Sequence, residues 1–264
     1  MTTRPLIALL TDFGTRDPYV AAMKGVILSL QPDATLVDLT HEVPPQDIVA
    51  GAFILAEARP FFPPGTIYLA VVDPGVGTER RALAAQALEC FWVGPDNGLF
   101  HLVFQETDTP DIVSLENPGY FRETVSPTFQ GRDLFAPVAA HLSRGTPLHE
   151  LGPAITDPAI LPWPQTVVTP EAVRGEIVYV DGFGNLLSNI KGQDLLAWGE
   201  GKSYLVILGS LTLEGLCLTY GDVAPGQFLA LIGSHGYLEI ACSRGNAARR
   251  LGVGRGRSLA VVRS

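Results

Sequence analysis

The chain has 264 residues, 47% of them hydrophobic and 17% charged, with a formal net charge of −9. That length suits one large domain or two unequal ones, with ample material for a core. A protein that neutralises phosphates needs basic patches, and no lysine or arginine cluster of that kind is present. Arg249, Arg250, Arg255 and Arg257 come nearest and read as a solvated face. Cys90, Cys217 and Cys242 lie far apart without CxxC spacing, which fits a reducing compartment better than a disulfide framework. Met1-Thr-Thr-Arg-Pro5 enters an apolar segment directly, so no leader peptide is expected. No run of about 18 apolar residues occurs, so no membrane span is expected either. The expected location is cytoplasmic.

Leu6-Ile-Ala-Leu-Leu10 is a short, fully apolar run of the kind a buried parallel strand shows. Asp17-Pro18 predicts a helix start, with the acid as cap and proline at the first helical position. That helix runs to Leu30 with Val20, Met23, Ile27 and Leu30 on one face. A strand at Ala34–Leu39, a helix at Asp47–Arg59 and a strand at Ile67–Val72 follow. Short strands at Leu83–Leu88 and Cys90–Val93 and a helix at Asp133–Arg144 complete an α/β domain over residues 1–160, with a mainly parallel sheet covered by helices. Prolines at 153, 158, 162, 164 and 170 mark a linker over 152–170. Beyond it, Glu176–Val180, Tyr204–Leu208, Leu211–Leu218, Phe228–Ile232, Tyr237–Ala241 and Leu259–Val262 predict a smaller all-β, barrel-like domain over 171–264.

In open parallel sheets ligands bind beyond the carboxyl ends of the strands. Asp12, Asp38 and Asp73 fall at or near such ends, and Asp12 and Asp73 each precede a sharp, glycine-bearing exit. Arg80 follows Asp73 across a glycine turn and can fold back on it, either as a plain ion pair or to share a small ligand or water. Gln130 and Arg132 lie where a helix N-terminus offers free N–H groups, with Asp133 as a rival cap. Asp181-Gly-Phe-Gly-Asn-Leu-Leu-Ser-Asn189 reads as a hairpin, and Gly233-Ser-His-Gly-Tyr-Leu-Glu239 is similar. GxGxxG, GxxxxGK[ST], HExxH and GxSxG are missing, and the five histidines show no ligand spacing, so neither a metal nor a cofactor is expected.

Several segments, in order along nearly the whole chain, resemble the SAM hydroxide adenosyltransferases, the adenosine-forming S-adenosyl-L-methionine hydrolases related to fluorinase and chlorinase. They are Leu10-Thr-Asp-Phe-Gly14, Val37-Asp-Leu-Thr-His41, Val72-Asp-Pro-Gly-Val-Gly-Thr-Glu-Arg-Arg81, Pro95-Asp-Asn-Gly98, Thr128-Phe-Gln-Gly-Arg-Asp133, Phe183-Gly-Asn185 and Gly233-Ser-His with Tyr237-Leu-Glu239. The resemblance implies an α/β domain followed by a β-barrel. It also implies a homotrimer whose sites lie between one subunit's first domain and the next subunit's second, and SAM as the small-molecule substrate. It makes Asp12 the acceptor of both ribose hydroxyls and Asp181 the partner of the methionine ammonium. Asn185, Ser234 and Glu239 become adenosine contacts, Tyr220 a stacking partner, and the backbone near Cys242 the reader of the adenine edge. Asp73 and Arg80 match two members of the family's Asp–Arg–His water-binding triad, but the histidine is Gln130 here. Glutamine donates and accepts hydrogen bonds without taking a proton near neutral pH. The implied reaction is in-line displacement at ribose C5' by water. A SAM- or adenosine-binding protein with little catalysis is the alternative Gln130 keeps open. A halogenase is the weaker one, since the Asp73 carboxylate would repel an incoming halide.

Overall fold

The computed structural model describes residues 4–199 and 203–263. The chain divides into two compact units, Met1–Leu161 and Pro162–Ser264. Each is built around its own apolar cluster.

The first unit carries a six-stranded sheet in the order β2-β1-β3-β5-β4-β6. Its strands are β1 (Leu6–Thr11), β2 (Thr35–Thr40), β3 (Ile67–Val71), β4 (Ala82–Ala87), β5 (Cys90–Pro95) and β6 (Asp111–Ser114). The four from β2 to β5 along the sheet are mutually parallel. The helices are α1 (Tyr19–Leu30), α2 (Ile48–Ala58), α3 (His101–Phe104) and α4 (Ala136–Ser143). β3 is buried along its whole length and β1 from its second residue on, as the unbroken apolar runs require. Tyr68 and Trp92, register partners on β3 and β5, stack at 4.3 Å with planes 7° apart. The Trp92 indole donates to Ala87 O at 3.1 Å.

β4 departs from the parallel set, pairing antiparallel with both β5 and β6. Leu88 and Glu89 join β4 to β5 with φ of 54° and 60°. Both central residues of such a two-residue reversal need positive φ, and asparagine-glycine usually supplies them. The expected cap on α1 is also corrected. The helix starts at Tyr19 with Pro18 in the cap position and no side-chain cap bond; Pro18 O closes the first turn by accepting from Ala22 N at 2.9 Å.

The helix expected from Asp133 is preceded instead by a π-turn over Gly131–Phe135. Pro137, in the first turn of α4, has no N–H to give to the carbonyl four residues back. That carbonyl, Asp133 O, accepts from Arg122 N at 2.9 Å.

The second unit is an antiparallel sheet in the order β11-β10-β14-β8-β9-β13-β12, with β7 added beside β8. The strands are β7 (Val167–Val168), β8 (Ala172–Val180), β9 (Leu186–Lys191), β10 (Tyr204–Leu208), β11 (Leu211–Glu214), β12 (Phe228–Ile232), β13 (Tyr237–Cys242) and β14 (Ser258–Arg263). β8 pairs with β14 through its first half and with β9 through its second. An isolated bridge between Cys217 and Leu231 brings the two ends of the sheet together, so the barrel is nearly closed. The strand expected to reach Leu218 stops at Glu214, before Gly215 at φ 62°. Two short helices interrupt the all-β pattern, α5 (Gly192–Gly199) and α6 (Ala247–Leu251). α6 is capped by Asn246, which accepts from Arg249 N at 2.7 Å, and ends on left-handed Gly252.

Trp92 is wholly buried at the centre of the first sheet. Trp92→Ala is expected to lower the unfolding free energy by about 3–5 kcal/mol, read from chemical denaturation.

Candidate functional site

Polar groups of the first unit gather where β1 and β3 end. Asp12 follows β1 directly, and its Oδ2 accepts from Gln46 N at 2.8 Å. Asp38 lies within β2, where Lys24 donates to Oδ2 at 2.6 Å and His41 Nε2 lies 2.9 Å from Oδ1. Burial alone would raise the Asp38 carboxyl, but the Lys24 hydrogen bond and the neighbouring His41 outweigh it and hold it below the ordinary carboxylate range. Asp38 is therefore an ion-pair member beneath the rim rather than a free carboxylate at it.

Asp73, Arg80 and Gln130 meet. Arg80 Nε donates to Asp73 Oδ1 at 2.9 Å and to Oδ2 at 3.1 Å. Arg80 Nη2 donates to both Asp73 Oδ2 and Gln130 Oε1. The Arg80 and Asp73 side chains are 11% and 5% exposed, so the pair is held in a weakly screened setting. The turn that folds the arginine back is built by Gly75 and Thr78, with Thr78 N and Oγ1 both donating to Gly75 O. A Cβ on Gly75 would come within 3.3 Å of Arg80 Cγ and 3.7 Å of Asp73 Oδ1. Of the two carboxylate oxygens, Oδ1 receives one of these bonds and Oδ2 two, so Oδ1 keeps the freer lone pair. With Gln130 Oε1 facing the guanidinium, its amide nitrogen remains as a donor.

Asp133 does not cap the helix. It is wholly buried and accepts from Arg132 Nε and Nη2, both at 2.7 Å, from Arg122 Nη1 at 3.1 Å and from Ser126 N at 3.0 Å. The Arg132 hydrogen bonds hold its carboxyl below the ordinary range. Arg132 is thus committed to Asp133 and stacks over Phe129 at 4.9 Å. It is an anchor for the segment carrying Gln130.

In the second unit a pocket of about 650 Å³ is lined by Asp181, Asn185, Tyr220, Ser234, Glu239 and Cys242 among others. The hairpin expected around Asp181 is the β8–β9 turn, with Leu186–Asn189 already in the strand. Asp181 Oδ1 accepts from Phe183 N and Asn185 N, and Oδ2 from Asn185 Nδ2 at 2.9 Å. Three donors on roughly four acceptor sites leave one lone pair of Oδ2 for a ligand. Asn185, with one amide hydrogen given to Asp181, presents its carbonyl oxygen and the second amide hydrogen. Gly184 takes φ 84°, and Asn246 occupies the space a Cβ would need, 2.1 Å from that position, so glycine is required on both counts. Ser234 sits in the β12–β13 turn, closed by Gly236 N donating to Gly233 O at 2.9 Å.

Tyr220 donates to Glu239 Oε1 at 2.9 Å. Burial, then the hydrogen bond to Glu239, push the Tyr220 phenol up to about 12. Burial pushes the Glu239 carboxyl above its usual range, against the pull of the Tyr220 hydroxyl. The Cys242 thiol, also buried, accepts from Arg250 Nη1 at 2.9 Å.

The sequence reading did not single out Thr11, Gln46, His235 or Arg244 as site residues. The last two line the pocket, Arg244 with a left-handed φ of 51°, and a positive φ on a non-glycine leaves no mark in a single sequence. Among the described residues no group of three or more His, Cys, Asp or Glu side chains is placed to hold a metal ion. No described helix is long and apolar enough to cross a membrane.

The SAM hydroxide adenosyltransferase N-terminal domain matches residues 7–152, and the C-terminal domain of the same family matches residues 175–260. An (R)-S-adenosyl-L-methionine hydrolase of Salinispora tropica is 41% identical, over 99% of each chain. The (R)-S-adenosyl-L-methionine hydrolase of Thermus thermophilus is 38% identical over 95% of this chain and 96% of its own. An uncharacterized conserved protein from Thermotoga maritima, known by crystal structure, matches with a TM-score of 0.92 and 37% identity over 97% of this chain and 100% of its own.

The buried Glu239 carboxylate loses hydration, so folding is weakened wherever that group is ionised and the weakening vanishes once it is protonated in both states. Glu239→Gln is expected to raise the thermal midpoint at neutral pH by about 2–4 °C, the shift that roughly 1 kcal/mol gives in a chain of this size. The difference should close below about pH 4, near the ordinary glutamate value.

Proposed function

The chain belongs to the SAM hydroxide adenosyltransferase family, and from that membership we propose that it hydrolyses S-adenosyl-L-methionine at ribose C5', giving adenosine and L-methionine. The observation that carries this reading is the joining of Asp73, Arg80 and Gln130 through one guanidinium. A water donating to Asp73 Oδ1 and accepting from the Gln130 amide nitrogen keeps a lone pair for C5'. As that oxygen bonds to C5', the C5'–S bond breaks and its electron pair returns to sulfur, neutralising the sulfonium. The water proton passes to Asp73 and then to solvent. Methionine leaves as a neutral thioether, so the leaving group needs neither a proton nor a cofactor, and the protein's work is positioning and nucleophile activation.

Arg80 fixes the carboxylate and shares its charge, while Gln130, unable to take a proton, holds the water in place. Asp73 is then the one proton acceptor of the three. By the family resemblance, Asp12 accepts the ribose hydroxyls and Asp181 pairs with the methionine ammonium. Asn185, Ser234 and Glu239 contact adenosine, Tyr220 stacks, and the backbone at Cys242 reads the adenine edge. The reading includes the family's homotrimer and a cytoplasmic location. Halide is disfavoured as the nucleophile because a carboxylate faces it.

Asp73→Ala is expected to cut the rate of adenosine release by at least about 10²-fold, the lower range for a positioned acid–base group. Adenosine affinity should be little changed. Chromatography of SAM incubated with the variant reads the first and calorimetry the second; unchanged turnover overturns the mechanism. Gln130 also favours a second reading, a SAM-binding protein with little catalysis. Intact SAM together with measurable binding by the unaltered protein selects it. In the hydrolase, Gln130→His, which restores a titratable partner, is expected to raise kcat.

A further inference from the structure

Asp12 sits at the end of a network that the proposed chemistry does not use. Its turn is gripped by the segment from His41 to Gln46. Gly14 N donates to His41 O at 2.7 Å, and His41 Nδ1 lies 2.9 Å from Thr11 Oγ1. Phe13 N donates to the same hydroxyl oxygen at 3.2 Å. The Asp38 carboxylate beside Nε2 can only accept, which places the ring proton on Nε2 and lets Nδ1 accept from the Thr11 hydroxyl. Nε2 lies 2.9 Å from Asp38 Oδ1, close enough to pair with it but outside hydrogen-bond geometry, and Lys24 holds the other carboxylate oxygen. The chain Lys24–Asp38–His41–Thr11 therefore ends on the residue before Asp12. Its outer pair is part-exposed, with side chains at 30% and 43%, but His41 and Thr11 are buried. The Thr11–His41 link is the buried part of the chain, and breaking it would strand a donor or acceptor away from water.

Gln46 completes the grip from the other side. Its backbone takes φ 66°, a costly conformation for a residue with a Cβ, and in it the N–H meets Asp12 Oδ2. The next residue, Asp47, caps α2 by accepting from Ala50 N at 3.0 Å, so the strained peptide is pinned between a helix start and the carboxylate.

We infer that His41, acting through Thr11, and the Gln46 N–H form a clamp that fixes the Asp12 carboxylate and presents Oδ1 to a vicinal diol. His41 and Gln46 are positioning residues for the nucleoside, and neither touches it through these bonds. The inference rests on the reading of Asp12 as the ribose-binding carboxylate. A merely structural network would lower stability when broken and weaken all ligands alike. A clamp on Asp12 is felt by ligands that carry the diol.

Calorimetry with adenosine and 2',3'-dideoxyadenosine, on the full chain, separates these. The unaltered protein is expected to prefer adenosine, and Asp12→Ala to remove the preference. Thr11→Val, which keeps the shape and deletes the hydroxyl, is expected to weaken adenosine roughly tenfold, the scale of one lost hydrogen bond to a charged group. Dideoxyadenosine affinity should stay unchanged, and the effect should vanish in the Asp12→Ala background. His41→Leu should carry the same signature and serves if Thr11→Val does not fold. Equal weakening of both nucleosides, or full additivity with Asp12→Ala, overturns the clamp while leaving Asp12 as the ribose ligand. Equal affinity of the unaltered protein for the two nucleosides overturns the Asp12 reading, and the clamp with it.

Discussion

A strand buried on both faces can keep no unsatisfied polar side chain along its length. β1 and β3 are such strands, β1 apolar up to Thr11, whose hydroxyl is hydrogen-bonded. The first residues free to carry charge are those just past their carboxyl ends, and that is where Asp12 and Asp73 stand. Everything built around them follows from placing two carboxylates at the rim of an apolar sheet. One is met by a guanidinium folded back over a glycine turn, the other by a loop from the neighbouring strand. Satisfying the two acids shaped the surrounding backbone, including the left-handed peptide at Gln46.

Much of this was legible in the sequence because burial writes itself as composition. Continuous apolar runs marked β1 and β3, and glycines marked the turns beyond them. The fold-back of Arg80 on Asp73 could be drawn from spacing alone. Features set by backbone geometry or by distant partners were not legible. The Leu88-Glu89 reversal uses residues with no turn preference, so the antiparallel placement of β4 had no local signal. The role of Asp133 depended on Arg122 and Ser126, which lie in a segment without periodic pattern. The His41–Thr11 contact joins residues of two strand exits 30 positions apart, and a single histidine announces no distant partner. α6, by contrast, carried both a capping asparagine and a terminal glycine; its five residues were too few for a periodicity to form.

The pocket of the second unit shows stability yielding to chemistry. Glu239 is buried with a tyrosine hydroxyl as its partner and its carboxyl raised by desolvation. An amide of the same shape would rest there more easily, so the acid reads as retained for what it contacts rather than for what it holds together. In the first unit the balance is different. Arg80 compensates Asp73 and Arg132 compensates Asp133, so charge is buried there in matched pairs. Replacing a histidine by Gln130 then leaves the charge of that cluster independent of pH at the third position.

The π-turn over Gly131–Phe135 carries one residue more per turn than its helical surroundings would. Deleting one residue there would restore the ordinary helical repeat without touching the core of α4. It would also rotate everything upstream by about 100°, the angle one residue subtends in an α-helix. Gln130 would then leave the Arg80 guanidinium. The length of this segment therefore matters as much as its side chains, of which Asp133, Leu134 and Phe135 are buried. A survey of insertions and deletions is expected to find a gap-free block that runs from here into α4.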